Sequence, residues 1–136
     1  MCLIIDGLKS IDFVNKYWGL NPEITVYKVA VKDSKIDRLE SPFKGTTYKI
    51  GEELVADGVK SSDAYIIGAG AIHCLLTLED ARKYSKYLWG NTVIIQCKVR
   101  KQDFIALGIT RVGIFLVEYE CDSICFKKVF LEKIVE

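Results

Sequence analysis

The sequence predicts an α+β domain in which a mostly antiparallel sheet carries one packed amphipathic helix. Two patterns lead to this fold class. Residues of high β-propensity are concentrated in runs of strand length, at residues 24–32, 46–56, 71–76, 92–100, 112–121 and 124–135. The run at 77–89 instead has the apolar spacing and the capping signals of a helix. Neither an internal repeat nor a low-complexity linker divides the 136 residues, so we expect residues 1–136 to form a single compact domain.

The helix expected over residues 77–89 is the clearest local signal. Thr77 can cap its first turn, and Asp80 can complete a variant of the capping box. One stripe of this helix carries Leu78, Ala81, Ser85 and Leu88, with Tyr84 beside it. This pattern predicts an amphipathic helix lying on the sheet. A short N-terminal helix is also expected at residues 10–18, between a possible Ser10 cap and Gly19.

The strand patterns predict how the sheet is covered. Residues 92–100 alternate, with Val93, Ile95, Cys97 and Val99 inward, and Ile94 is the one apolar residue on the outward side. Residues 71–76 are apolar on both faces, which is typical of a central strand. The polar link Asp122–Ser123 predicts a hairpin between the last two strands.

Charge and cysteine content exclude several classes of protein. The sequence has 19 Lys and Arg residues and 18 Asp and Glu residues, so its net charge is close to zero. Such a charge creates no overall electrostatic field that would attract nucleic acid or anionic lipid. No apolar run approaches the ~20 residues that a membrane helix requires. None of the five cysteines has C-x-x-C spacing, which favours reduced thiols in a cytoplasmic protein without metal or cofactor. Cys121 and Cys125 flank the expected hairpin turn. The sequence therefore leaves open whether they form a reactive pair of thiols or a disulfide bridge.

Candidate functional side chains are few. His73 is the only histidine, and it is either a core residue or a general base at a strand end. Glu118 and Glu120 share one face of a strand, where they could share a proton or simply be solvated. The run Lys98, Arg100 and Lys101 could contact phosphate, although a solvated edge is the simpler interpretation.

Tyrosines are the other candidates, because their rings could stack on a flat ligand such as a nucleobase. The expected ligand-binding residues are Tyr27, Tyr48, His73 and Tyr84. Ordinary core packing would also explain these tyrosines, and the sequence alone leaves both interpretations open.

The middle of the chain resembles an uncharacterised domain found widely in phages and giant viruses, often beside pentapeptide repeats. The similar stretches are Tyr48-Lys49-Ile50-Gly51-Glu52, Ala71-Ile72-His73 and Leu78-Glu79-Asp80-Ala81-Arg82-Lys83-Tyr84. The stretch VRKQDFIALG at residues 99–108 is similar to a strand and turn of that domain. Ala71 stands where the family has glycine. The resemblance implies a viral origin. It also makes His73 a residue of functional interest, without assigning it a role.

These observations are compatible with three different functions. The first is a non-enzymatic binding module, a viral accessory protein that holds a host protein or a small nucleotide-like ligand. The second is an enzyme that resembles ADP-ribosyltransferases and uses NAD, with Tyr27 or Tyr48, His73, and Glu118 or Glu120 as its catalytic set. The third is a structural or virion-associated homo-oligomer that pairs through the strand expected at residues 124–135.

Overall fold

The computed structural model describes residues 3–5, 23–33, 38–41, 47–56, 61–63, 66–67, 71–88, 91–114 and 117–136. Within these residues the chain forms one α-helix and twelve β-strands, joined by antiparallel pairing. The elements are Leu3–Ile5 (β1), Glu23–Asp33 (β2), Arg38–Glu40 (β3), Thr47–Tyr48 (β4), Glu53–Val55 (β5), Ser61–Asp63 (β6), Ile66–Ile67 (β7), Ile72–Leu75 (β8), Leu78–Lys86 (α1), Thr92–Arg100 (β9), Phe104–Ile114 (β10), Val117–Phe126 (β11) and Lys128–Ile134 (β12).

The strands form one curled sheet in the order β5-β12-β9-β2-β8-β11-β10-β1-β7-β6, and β3 joins β2 to β4 beside this path. The expected mostly antiparallel sheet with a packed helix is therefore confirmed. The helix expected at residues 10–18 lies outside the described residues. No helix in the described part of the chain is long and apolar enough to cross a membrane.

Helix α1 begins as the sequence predicts and ends earlier. The Thr77 hydroxyl accepts the Asp80 backbone N–H at 3.1 Å and donates to the Asp80 carboxylate at 2.7 Å. The helix ends at Lys86 instead of residue 89, because the Tyr87 backbone N–H closes a tighter turn onto the Tyr84 carbonyl. Helix α1 packs against β2, β8, β9 and β11.

The sheet has two faces that differ in what covers them. We call the side on which α1 packs the helix face, and there Val29, Leu75 and Ile94 lie beneath Ala81 and Tyr84. The opposite side, the core face, holds the larger apolar cluster, which includes Val26, Ile95, Cys97, Ile124, Phe126 and Leu131. The predicted alternation of residues 92–100 is confirmed, and α1 explains why the outward Ile94 is buried.

The hairpin predicted at Asp122–Ser123 is wrong. Both residues lie inside β11, where Ser123 pairs with Leu75 on one side and with Gly108 on the other. A polar residue is tolerated there because the Ser123 hydroxyl donates to the Cys121 carbonyl at 3.1 Å. In the stretch 99–108, where a strand and a turn are expected, the turn is a short 3-10 segment at Lys101–Asp103, and Phe104 then begins β10.

Candidate functional site

The single histidine contacts a cysteine inside the sheet. His73 on β8 and Cys125 on β11 are register partners, and 3.3 Å separates His73 Nδ1 from Cys125 Sγ. This distance would suit a thiol–imidazole pair in nucleophilic catalysis. Both residues are nevertheless buried, and burial raises the pKa of the Cys125 thiol far above its ordinary range. Because the thiolate is the nucleophile, this enclosed and protonated thiol is unreactive.

A buried lysine lies beside this pair. Lys28 is only 7% exposed, and its ammonium donates to the His73 carbonyl at 2.6 Å. The Lys28 Nζ also lies 5.3 Å from the centre of the Tyr48 ring. Burial is the largest single influence on the Lys28 pKa and lowers it. The negative charges that Tyr48, Cys74 and Cys97 carry when they are ionised act in the opposite direction and leave the Lys28 pKa above its usual range.

The four cysteines in the described residues, Cys74, Cys97, Cys121 and Cys125, are free and buried. The bridged pair left open for Cys121 and Cys125 is therefore wrong. Burial raises the pKa of Cys74 to about 11 and that of Cys121 to about 11. A thiol behaves here as a small apolar side chain. None of these groups is prepared for nucleophilic attack at neutral pH.

The expected tyrosine pocket is divided between the two faces of the sheet. Tyr48 is buried in the core-face cluster, whereas Tyr84 is buried in the helix-face cluster with Tyr27 packed against it. His73 lies on β8 and contacts Cys125, as described above. The structure therefore does not gather these side chains around one opening.

The glutamates expected to act with His73 lie far along β11. Glu120 is exposed and pairs in register with Arg111, whereas His73 is opposite Cys125. Cys125 lies five positions beyond Glu120 on the strand, a distance of about 17 Å at 3.3–3.4 Å per residue. The backbone of Glu118 lies two residues further away on the same strand. His73 and Glu120 are consequently too far apart to act as one catalytic set.

An open groove lies elsewhere, on the part of the helix face that α1 leaves uncovered. It has a volume of about 420 Å³ and is lined by Glu23, Glu53, Lys98, Arg100, Asp103, Lys128, Val129, Phe130 and Glu132. We call it the Phe130 groove. Strand alternation places Lys98 on the same face as Ile94, four residues earlier on β9, so the groove continues the helix face beyond α1.

Cross-strand register explains how the groove is assembled. Glu53 on β5, Phe130 on β12, Lys98 on β9 and Thr25 on β2 form one row of lateral partners. The Lys98 ammonium donates to the Thr25 hydroxyl at 2.9 Å. In the neighbouring row Gln96 is the register partner of Lys133, and its amide donates at 2.7 Å to the carboxylate of Glu132, which lies at the register shift of β12. Phe130 is 40% exposed at the middle of these polar side chains.

Charges of both signs line the Phe130 groove. Carboxylates come from Glu23, Glu53, Asp103 and Glu132, and cations from Lys98, Arg100 and Lys128, so the lining carries four acids and three bases. No group of three or more His, Cys, Asp and Glu side chains within the described ranges could hold a metal ion. The charged side chains of the groove can form ion pairs with a bound surface, and Phe130 can make apolar contacts with it.

Sequence reasoning found only part of this groove. The sequence indicates Lys98 and Arg100, as a possible phosphate contact or a solvated edge. No local pattern indicates that Phe130 and Glu132 line a groove, because only the register of β12 with its neighbours brings them to Glu53 and Lys98. The available signal was Phe130 itself, an aromatic residue on the polar side of an alternating strand.

Comparison with protein-family models, curated proteins and solved structures gives no match to this chain.

Proposed function

We propose that the chain is a non-enzymatic binding module that holds a protein partner on the Phe130 groove. The observation that supports this function is the separation of the two candidate regions. The side chains with nucleophilic potential are buried around His73, whereas the groove is open and lined by ionic and aromatic groups. Binding needs only such a surface, whereas nucleophilic catalysis needs an accessible, ionised group.

The composition of the groove favours a protein over a nucleotide-like ligand. A phosphate-binding groove is positive, and in this one carboxylates outnumber cations by four to three. An exposed aromatic side chain surrounded by a polar rim is instead the pattern of a protein interface. Phe130 supplies the aromatic centre, and Glu53 and Lys98 are its flanking rim residues. A host protein is one such partner if the chain acts as the viral accessory protein that its motifs suggest.

Photo-crosslinking in cells tests the proposal at the groove itself. Phe130 is replaced by the photoreactive amino acid p-benzoylphenylalanine, which keeps an aromatic ring at this position. Irradiation is expected to join the chain to a discrete protein, visible as a shifted band and identified by mass spectrometry. The matched control carries the same group at Ile134, which is 47% exposed on β12 outside the groove.

The control variant should not yield the same adduct. Equal adducts from both positions, or no protein adduct from position 130, would contradict the proposed function. A thermal-shift screen of nucleotides, cyclic dinucleotides and NAD tests the other class of ligand. A rise in melting temperature that Lys98→Glu abolishes would favour the nucleotide-like ligand instead.

A further inference from the structure

Strand β5 forms an edge of the sheet beside the Phe130 groove. It pairs with β12 on one side, and nothing in the described part of the chain pairs with its other side. Antiparallel pairing directs the backbone groups of alternate residues toward the neighbouring strand. The Leu131 backbone N–H donates to the Glu52 carbonyl at 3.1 Å, so residues 52, 54 and 56 are the ones that direct their backbone groups toward β12. The backbone N–H and C=O groups of Glu53 and Val55 therefore point away from the sheet.

The side chains of these two edge residues lie on the helix face, next to the groove. Glu53 pairs in register with Phe130 and Val55 pairs with Lys128, and both partners line the groove. Val55 is 56% exposed and Phe130 is 40% exposed. They are diagonal neighbours on adjacent strands, about 7–8 Å apart. Together they form an exposed apolar patch at the edge of the sheet.

The backbone groups at this edge select an extended chain as the partner. Glu53 and Val55 together present two N–H donors and two C=O acceptors, and an added antiparallel strand pairs with all four through two directly opposed residues. A protected edge carries a charged residue or proline at its exposed positions, whereas β5 exposes the apolar Val55. The edge of β5 thus combines unpaired backbone groups with an apolar contact for an incoming side chain.

We infer that the partner of the Phe130 groove presents an extended segment that pairs with β5 as an additional antiparallel strand. This inference rests on the proposed function, because it states how the partner is held. The residue opposite Val55 is apolar, since it contacts an exposed apolar side chain. The residue opposite Glu53 is basic, since no ion pair within the described residues uses the Glu53 carboxylate. The segment runs against β5, so its sequence is an apolar residue, any residue, and then Lys or Arg.

Selection from displayed random seven-residue peptides tests this sequence on the intact chain. The enriched peptides should share an apolar residue followed two positions later by Lys or Arg. Selection on Glu53→Lys should instead favour Asp or Glu at the second of these positions. For one peptide synthesised with either Lys or Glu there, the preference measured by fluorescence polarisation should reverse between the two chains, by about two- to fivefold in each direction.

Methylation of single peptide amides distinguishes strand addition from other modes of binding. In the added strand the amides of the apolar and the basic residue donate to the carbonyls of Val55 and Glu53, whereas the amide between them points away from β5. Methylation of either outer amide should weaken binding about tenfold or more, and methylation of the middle amide should change the Kd by less than about twofold. Equal effects at all three amides would overturn the inference. The chain itself is unchanged in this series, so its folding does not affect the result.

A proline in β5 links the peptide result to the partner in cells. Val55→Pro removes an outward N–H and places a ring where the added strand would lie, without removing a hydrogen bond to β12. It should abolish binding of the selected peptide and the adduct formed at position 130, whereas Val55→Thr, which keeps the N–H, should retain both. Selection that enriches no common sequence, or peptides that bind Val55→Pro as tightly as the parent chain, would overturn strand addition.

The cross-link at position 130 separates the failure of this inference from the failure of the proposed function. A protein adduct that Val55→Pro leaves unchanged keeps the proposed function and rejects strand addition. The absence of any protein adduct rejects the proposed function, and the peptide series on the isolated chain then decides strand addition by itself.

Discussion

Replacement of the buried Lys28 tests how the centre of the sheet is held together. Lys28→Met removes the ammonium and keeps an unbranched apolar side chain. It removes a charged hydrogen bond to the His73 carbonyl, which contributes about 1.5–3 kcal/mol. It also removes the contact with the Tyr48 ring, which contributes about 0.5–2 kcal/mol.

Lys28→Met also removes an unfavourable contribution to stability, the desolvation of the buried ammonium. An ammonium in a protein interior costs several kcal/mol of lost hydration, and no carboxylate within the described residues forms an ion pair with Lys28. The gains and losses are of similar size. We therefore expect the unfolding free energy of Lys28→Met to lie within about 1 kcal/mol of the wild-type value.

Lys28→Ala is the matched comparison. It also removes three buried methylenes, at about 0.8 kcal/mol each, and leaves a cavity. Its unfolding free energy should be about 2–4 kcal/mol below that of Lys28→Met, as measured by urea unfolding followed by circular dichroism. A methionine variant less stable than wild type by more than about 3 kcal/mol would show that the ammonium is a net stabiliser, which refutes the reasoning. Equal stability of the two variants would show that the side-chain stem is not packed.

Three further substitutions or conditions test the structure. Burial raises the pKa of Cys74 from 9.0 to about 11, so the folded state holds this proton more tightly than the unfolded chain does. This tighter binding of the proton contributes about 3 kcal/mol to the free energy of unfolding below pH 9, and the contribution is lost as the pH rises from 9 to 11. In urea unfolding, the free energy of unfolding of Cys74→Ala should therefore fall less steeply than that of the wild type across this range. Thr77→Ala should cost about 1 kcal/mol through loss of the α1 cap, and the reasoning fails if Ser85→Ala costs as much. The buried Thr110 hydroxyl has no hydrogen-bond partner among the described residues, so Thr110→Val should raise the unfolding free energy by about 1 kcal/mol; a loss of stability would contradict the unpartnered hydroxyl.

Local patterns in the sequence were sufficient for the elements that carry their own signals. Thr77 and Asp80 lie within one turn of each other, so their hydrogen bonds could be predicted without the rest of the fold. The alternation of β9 was also predictable, because one face of that strand is continuously buried. Both features depend on neighbours in sequence.

Features that depend on distant strands could not be predicted in the same way. Asp122 and Ser123 have the composition of a turn, yet β8 and β10 hydrogen-bond to β11 from both sides and keep the chain extended. Lys28 stands in an apolar run, and only the fold brings the His73 carbonyl and the Tyr48 ring to its ammonium. Tertiary context overrides local composition in both cases.

The Phe130 groove also could not be predicted from local sequence patterns. Glu53, Phe130 and Lys98 belong to three strands that are neighbours in the sheet and far apart in sequence. Their charges and the exposed ring are visible in the sequence, but their placement around one centre follows from the register of β5, β12 and β9. The sequence therefore supplied the residue types without their arrangement.

We propose that the Phe130 groove carries the function and that the buried His73 region does not. The most direct measurement is the yield of the cross-link from p-benzoylphenylalanine at position 130 in two further backgrounds, His73→Gln and Lys98→Glu, each checked for a native circular dichroism spectrum. We predict an unchanged yield with His73→Gln and a strongly reduced yield with Lys98→Glu. A yield that is lost with His73→Gln and kept with Lys98→Glu would contradict the claim.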